Sequence, residues 1–324
     1  MAKNGTAIAG ASNSTYSTTT AADGDVFSVV LTSNATCATP ITATSTGVTI
    51  TVNPVLVPSV VINASATTIC TGTNVTFTPT PTNGGASPFY QWQKNGTAIG
   101  GASNSTYSTT TAVTGDVFSV VLTSNATCAS PTTATSPGVT MTVNSTLVPA
   151  VAITATATTI CTGTAVTYTA TPTNGGTTPA YQWKKNAVVI TGATNSTYVT
   201  STISNGDIFT VVLTSNAGCA SPTTATSTGI TMTVNPVLVP SVTITASATT
   251  ICPGTNITFT PTPINGGASP FYQWQKNGTA IAGASNSTYS TTTAANSDVF
   301  SVVLTSNATC ATPITATSTG VTIT

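Results

Sequence analysis

The chain has 324 residues, of which only 3% are charged, and its five lysines balance five aspartates to a net charge of zero. It contains no Arg, Glu or His, which excludes a basic patch for nucleic acid and a histidine general base. A mean hydropathy of +0.29 without net charge excludes an intrinsically disordered chain, and we predict a folded, Thr- and Ser-rich β protein.

One motif recurs with a fixed period. Trp92, Trp183 and Trp274 are 91 residues apart each time, and a cut-off copy opens the chain at residues 3–5. A period of this kind indicates one structural unit written several times. We predict a partial module at 1–53 that lacks its first strands, and complete modules at 54–144, 145–235 and 236–324. We expect the chain to be a piece of a longer array.

The first complete copy predicts short strands separated by turn residues. Residues 60–64 form a first strand that residues 67–70 continue, and residues 74–78 alternate apolar side chains with polar ones, as a half-buried strand does. We expect Pro79 and Pro81 to end the pairing of that strand. The remaining strands are predicted at residues 89–94, near 99, and at 106–109, 117–123 and 139–143.

No stretch has a helical apolar period, and no apolar run is long enough to span a membrane as a helix. We therefore predict an all-β chain of antiparallel two-sheet sandwiches. The sequence from Trp92 through Tyr107 to Phe118 resembles an immunoglobulin-like domain. More narrowly, the chain resembles the tandem Ig-like and PKD-like repeats of large secreted surface proteins, adhesins among them, of Bacteroidetes-type bacteria. The resemblance covers essentially the whole chain.

The resemblance implies which aromatic residues form the core of each module. It places a Trp at the core position of strand C and a Phe on strand F, namely Trp92, Trp183, Trp274, Phe118, Phe209 and Phe300. A sugar-stacking face built from each Trp and the Tyr two residues before it is the weaker alternative. Phe89 and Phe271 point the other way, and we expect them to be partly exposed.

Seven cysteines keep the 91-residue spacing, but none lies where antibody-type domains carry their disulfide. Three precede strand B (residues 74–78 in the first complete copy) and four follow strand F (residues 117–123 in that copy): Cys70, Cys161 and Cys252, then Cys37, Cys128, Cys219 and Cys310. Such regular use of cysteine predicts disulfides formed outside the cytosol.

Two sets of disulfides are compatible with this spacing. Bonds within modules would close loops of the same length in every module, and this regularity favours them: Cys70–Cys128, Cys161–Cys219 and Cys252–Cys310. In an Ig sandwich, however, the start of strand B and the end of strand F lie about 25 Å apart, whereas bonded Cα atoms lie within about 7 Å. We therefore prefer bonds between modules, Cys70–Cys219 and Cys161–Cys310, with free thiols as a third alternative.

We predict no catalytic, cofactor-binding or metal-binding residues, and no enzymatic activity. An aspartate recurs before strand F, but one carboxylate per module is too few for a calcium site, and we expect it to cap a turn. The four positions are Asp25, Asp116, Asp207 and Asp298.

Short connectors with two prolines, such as residues 235–240, predict stiff junctions. We predict a structural segment of a stalk or filament outside the cell or on a bacterial surface. Its expected partners are further copies of the module or chain, end to end or side by side. The alternative is an adhesin whose modules bind carbohydrate or a protein partner directly.

Overall fold

The computed structural model describes all residues from 1 to 324 and contains β-strands but no helix. Contacts divide the chain into two units, Met1–Thr146 and Leu147–Thr324. The first unit holds the partial module and the first complete module, and the second unit holds the other two. Each complete module spans about 90 residues, as the sequence period predicts.

The strands of the first unit follow in chain order. Residues 1–53 form β1 (Ala2–Lys3), β2 (Thr6–Ala7), β3 (Val26–Ser28), β4 (Val30–Thr32), β5 (Thr42–Thr44) and β6 (Val48–Thr49). The first complete module forms β7 (Ser59–Ala64), β8 (Thr68–Cys70), β9 (Val75–Thr82), β10 (Phe89–Lys94), β11 (Thr97–Ala98), β12 (Tyr107–Thr109), β13 (Val117–Thr123), β14 (Thr133–Thr135), β15 (Val139–Thr140) and β16 (Thr142–Asn144).

Two antiparallel sheets enclose the core of this module. One sheet has the order β12-β9-β7, and the other has the order β11-β10-β13-β14, with β15 also paired to β13. Alternate side chains of each strand point inward, so Val75 and Phe77 of β9 meet Val120 and Leu122 of β13 in one buried cluster. The predicted all-β, immunoglobulin-like sandwich is confirmed.

The second unit repeats this arrangement twice. Its first module forms β17 (Ala150–Ala155), β18 (Thr159–Cys161), β19 (Val166–Thr173), β20 (Ala180–Lys185), β21 (Val188–Val189), β22 (Thr197–Thr200), β23 (Ile208–Thr214), β24 (Thr224–Thr226), β25 (Ile230–Thr231) and β26 (Thr233–Asn235). Its second module forms β27 (Ser241–Ala246), β28 (Ile257–Ile264), β29 (Phe271–Lys276), β30 (Thr279–Ala280), β31 (Tyr289–Thr291), β32 (Val299–Thr305), β33 (Thr315–Thr317) and β34 (Val321–Thr322).

Two details of the first module correct the sequence-based expectations. Strand β9 continues through Pro79 and Pro81, which lie opposite Ile62 and Val60 of β7. Strand β12 covers the other edge of β9 only from Val75 to Phe77. On that edge no strand lies beside the two prolines, so no N–H donor is needed from them there. Residues 68–70 do not continue the first strand but form β8, which pairs in parallel with β16.

Candidate functional site at the junction between modules

The connector between the second and third modules is tied down on both sides. Asn235 ends β26, and its carbonyl accepts a hydrogen bond from the Thr162 N–H at 3.0 Å. Leu238 donates its N–H to the Cys310 carbonyl at 2.9 Å. Only two residues, Pro236 and Val237, separate these anchored positions, so the connector has little freedom of its own.

A disulfide spans the same connector. Cys161 lies opposite Asn235 in the parallel pair of β18 and β26. Cys310, whose carbonyl holds Leu238, is bonded to Cys161, with a Cα–Cα distance of 5.5 Å. The covalent bond therefore joins the second module to the third at the two points where the connector is already fixed.

The start of every complete module is held in the same way. Leu56, Leu147 and Leu238 each donate a backbone hydrogen bond of 2.9–3.0 Å to the carbonyl of the cysteine that follows strand F of the same module. Each leucine also pairs in parallel with the next residue, the alanine after that cysteine. The cysteine after strand F thus marks the entry end of its module.

The within-module disulfides are not formed. Cys128 and Cys252 are free and exposed, as is Cys37, whereas Cys70 and Cys219 are disulfide-bonded. In the second module, Cys161 lies beside the last strand at the exit end and Cys219 beside Leu147 at the entry end. The two cysteines of one module therefore lie at opposite ends, which explains why Cys161 bonds to a cysteine of the next module.

A Lys–Asp ion pair recurs in every copy between the end of the strand that carries the Trp (β10 in the first complete module) and the residue before strand F (β13 in that module). Lys94 Nζ lies 2.8 Å from Asp116 Oδ2, and the side-chain amide of Asn95 donates to Asp116 Oδ1 at 3.1 Å. The Val113 N–H also donates to Asp116 Oδ2 at 2.8 Å, which is the turn-capping role expected of this aspartate. The other copies have the pairs Lys3–Asp25, Lys185–Asp207 and Lys276–Asp298.

These contacts keep the carboxyl groups ionised. The hydrogen bond from Lys3 is the main cause that lowers the pKa of Asp25, to about 2, and the hydrogen bond from Lys276 likewise lowers the pKa of Asp298. Burial raises the pKa of Asp116 and Asp207, but hydrogen bonds from Lys94 and Lys185 and from nearby backbone N–H groups lower it below the usual value. Each aspartate is thus held as a buried anion with its donors in place.

The aromatic residues predicted for the core are buried. Trp92, Trp183 and Trp274 are fully enclosed, and Phe118, Phe209 and Phe300 are at most 1% exposed. The indole N–H of Trp92 donates to the Asn104 carbonyl at 2.9 Å. A buried ring whose N–H is already bonded cannot stack on a sugar, so the stacking face considered above is absent.

The two phenylalanines that the sequence predicts to be partly exposed lie on the surface. Phe89 and Phe271 are each 70% exposed, at the first position of the Trp strand in their modules. The matching position in the second module is Ala180. No group of three or more His, Cys, Asp or Glu side chains is close enough to hold a metal ion.

Sequence reasoning missed the Lys–Asp pairs, although a signal was present. The two residues are separated by the same number of positions in all four copies. In a chain with so few charges, a fixed spacing of opposite charges indicates a structural pair.

No protein-family model matches the chain, and no curated protein does. Among solved structures, the chain is similar to the three N-terminal domains of the highly immunogenic outer capsid protein (Hoc) of bacteriophage RB49. The identity is 15%, the TM-score is 0.29, and the match covers 82% of this chain and 98% of that one.

The structure contains no helix that is long and apolar enough to cross a membrane.

Proposed function

We propose that the chain is a structural segment of a stalk or filament outside the cell, in which stacked Ig-like modules set reach and stiffness. The observation that carries the proposal is the junction bridged by Cys161–Cys310, where only Pro236 and Val237 separate two anchored positions. Bending this junction requires breaking backbone hydrogen bonds or straining a covalent link. A chain selected for flexible linkage would instead use a Gly/Ser linker.

The chemistry of the chain supports a place outside the cytosol. Four cysteines are disulfide-bonded, and such bonds persist in oxidising compartments such as a cell surface. The chain also carries no net charge, which leaves little electrostatic repulsion between copies. We propose that its partners are further copies of the module or chain, end to end or side by side.

We also propose that the chain is not an enzyme and uses no cofactor. The support is its chemical inventory, which lacks His and Glu and has five aspartates. Four of those aspartates lie in ion pairs with lysine and hydrogen bonds to the backbone. A carboxylate held in this way is a poor general base. The same shortage of positive charge argues against nucleic acid as a partner.

Small-angle X-ray scattering of the full chain tests the structural role. With a length of about 35–45 Å per module, a stiff array of three and a half modules has a maximum dimension of about 130–150 Å. We expect this value under oxidising conditions and a broader, shorter distribution after reduction. A compact particle of about half that length would contradict the proposal.

Mass spectrometry of peptides prepared without reduction identifies the disulfide partners of Cys70 and Cys219. We predict that these two cysteines are bonded to each other.

A second candidate function is direct binding of a carbohydrate or a protein by the modules themselves. The observation that favours it is the exposure of Phe89 and Phe271, each 70% accessible at the same place in two modules. Exposed aromatic rings are common anchors of binding surfaces. Ala180 at the same place in the second module provides a natural control.

A glycan array and a cell-binding assay with the full chain separate the two functions. Adhesion through these rings predicts saturable binding that is lost when Phe89 and Phe271 are both changed to Ala. The structural role predicts no saturable binding by the wild-type chain or by the variant with both phenylalanines changed to Ala. Saturable binding that vanishes with the two rings would replace the structural proposal with the adhesin.

A further inference from the structure

The triplet Asn-X-Ser/Thr, in which X is not Pro, occurs at several places in the chain, but only one place has it in all three complete modules. The residues there are Asn-Ser-Thr each time, at 104–106, 195–197 and 286–288. This triplet is the sequence that N-glycosylation of proteins requires. In a chain rich in Asn, Ser and Thr the pattern also arises by chance, so the surroundings of each triplet decide what it means.

At other positions the asparagine of the triplet has a structural role. Asn95 has a φ of +52°, and its side chain donates to Asp116 Oδ1 at 3.1 Å and accepts from the Val117 N–H at 2.8 Å. Asn125 Oδ1 accepts a hydrogen bond from the Ser87 N–H at 3.2 Å. The carboxamides of both asparagines are therefore already bonded within the module.

The second module separates this structural role from the triplet. Asn186 keeps the hydrogen bonds of its counterpart Asn95, but the residue two positions later is Val188. Asn216 keeps the hydrogen bond of its counterpart in the first module, but the residue two positions later is Gly218. Where the fold needs the asparagine, the hydroxyl residue after it is dispensable.

The recurring triplet shows the opposite pattern. The side chains of its asparagine and its threonine are exposed and make no hydrogen bond in any complete module. Nor does the asparagine have the left-handed backbone conformation that this residue type favours. The fold therefore gives no reason for either side chain, although every complete module has both. The residues are Asn104, Asn195 and Asn286, with Thr106, Thr197 and Thr288.

The backbone of this asparagine, in contrast, is fixed beside open space. Its carbonyl accepts the indole N–H of the buried tryptophan, at 2.9 Å from Trp92 to Asn104 and at 2.9 and 3.0 Å in the other two modules. A hollow of about 280 Å³ beside Asn104 is lined by Gly101 and Tyr107 among others. The corresponding hollows of the second and third modules measure about 440 and 560 Å³. A Cβ added at Gly101 would meet nothing within 4 Å, so the exposed carboxamide has room around it.

Building on the proposed place of the chain outside the cytosol, we propose that Asn104, Asn195 and Asn286 are N-glycosylation sites. The sugar comes from a glycosyl donor held on a lipid diphosphate. The carboxamide nitrogen forms a bond to the anomeric carbon of that sugar, and the bond from this carbon to the diphosphate oxygen breaks. The lipid diphosphate leaves, and the nitrogen loses one proton to a base of the transferase. The step needs no oxidant or reductant.

A glycan at this position covers two exposed sheet edges. Residues 99–106 connect β11 with β12, and these strands are outer members of the two sheets of the first module. Outer strands present unpaired backbone groups that pair readily with another chain, and proteins often protect them with lysine. Four of the five lysines of this chain are instead paired with aspartate. A hydrated glycan beside these edges supplies the protection that charge does not.

Glycopeptide mapping of the full chain, purified from the cells that produce it, tests the proposal. Cleavage before aspartate places the three sites in separate fragments, 25–115, 116–206 and 207–297, and electron-transfer fragmentation identifies the modified residue. We expect sugar on the three proposed sites and none on Asn95 or Asn125. Unmodified asparagine at all three sites would overturn the proposal. So would equal modification of Asn95 or Asn125, because their carboxamides are bonded.

Two variants at Thr106 give a matched comparison. Thr106→Ser keeps the hydroxyl and should leave Asn104 glycosylated. Thr106→Val keeps the shape of the side chain and should abolish the sugar on Asn104, while Asn195 of the same chain stays modified. Because Thr106 is exposed, neither change should unfold the module. Equal modification of Asn104 in the two variants would overturn the proposal.

Changing all three asparagines to Gln tests the protection of the sheet edges. In sedimentation velocity, this variant should associate at a lower protein concentration than the glycosylated wild type. Its Cys161–Cys310 bond and the scattering length of the single chain should stay the same. A variant that associates no more readily would contradict the protective role. A wild-type chain that carries no sugar and keeps its length would refute glycosylation and leave the structural role of the chain intact.

Discussion

Tyr168 packs against Phe209 with ring centroids 4.4 Å apart, and Phe77 packs against Phe118 at 4.6 Å in the same place of the first module. Of these two equivalent residues, only Tyr168 carries a hydroxyl group, and that hydroxyl is buried without a hydrogen-bond partner. Burial, with smaller contributions from the charge of Asp207 and from Tyr198, raises the pKa of Tyr168 to about 12. The second module therefore contains a buried hydroxyl group without a hydrogen-bond partner, which the other two modules lack.

We expect Tyr168→Phe to stabilise the second module by about 1–2 kcal/mol, because it removes a buried, unpaired hydroxyl and leaves the ring in place. The reverse change in the first module, Phe77→Tyr, should destabilise that module by a similar amount. Denaturant unfolding of both variants measures the two effects. A Tyr168→Phe chain less stable than the wild type would show that the hydroxyl has a partner.

The repeated aspartates predict an acid-dependent loss of stability. The folded-state pKa of Asp25 is about 2, and those of Asp116, Asp207 and Asp298 are also below the usual value. Because the folded pKa is the lower one, the contribution is fully present above about pH 4 and is lost as the pH falls towards 2. We expect the urea midpoint to fall across this range.

Replacing all four aspartates with Asn is the matched control, because Asp23 is then the last acidic side chain in the protein. The variant should be less stable than the wild type at pH 7, and its urea midpoint should change little between pH 4 and 2. A variant midpoint that falls as steeply as that of the wild type would assign the acid dependence to another group.

Two aromatic residues of strand β10 should differ sharply in their effect on stability. Trp92 is fully buried and Phe89 is 70% exposed. We expect Trp92→Ala to destabilise the first module by about 3–5 kcal/mol through the cavity and the lost indole hydrogen bond. Phe89→Ala should stay within about 0.5 kcal/mol of the wild type. Circular dichroism during denaturation compares them, and equal costs would contradict the core assignment.

Gly85 lies against the turn that follows strand F. Its φ is +85°, and a Cβ added there would overlap the Asn125 side chain and lie 2.5 Å from Ala126 N. Gly101 has a similar φ of +74° but open space around it. We expect Gly101→Ala to cost about 1 kcal/mol from backbone strain alone, and Gly85→Ala at least about 2 kcal/mol more from overpacking. Equal unfolding free energies for the two variants would refute the steric argument.

The sequence predicts the strands and the core well because both depend on local alternation. Val75 and Phe77 lie two residues apart and therefore share one face of β9, which fixes that face as buried. The period of the three tryptophans similarly marks a single fold repeated. These signals are contained in short segments, so they need no knowledge of distant neighbours.

Features that depend on distant neighbours were predicted less well. Pairing of β8 with β16 joins residues more than 70 positions apart, and nothing in residues 68–70 identifies that partner. The pairing of β9 through Pro79 depends on which edge of the strand β12 leaves uncovered. The preference for disulfides between modules rested on the Ig-like resemblance, which places the two cysteines of one module at opposite ends, and not on the cysteine spacing itself.

The stiffness of the stapled junction is measured most directly by the distance distribution between two spin labels, carried by unnatural amino acids at the exposed positions Val188 and Ile264. We predict one narrow distribution for the wild type and a clearly broader one for the chain with both Cys161→Ser and Cys310→Ser. Replacing Pro236 and Val237 with Gly and Ser in that double variant gives the flexible reference. A wild-type distribution as broad as this reference would contradict the proposed rigid array.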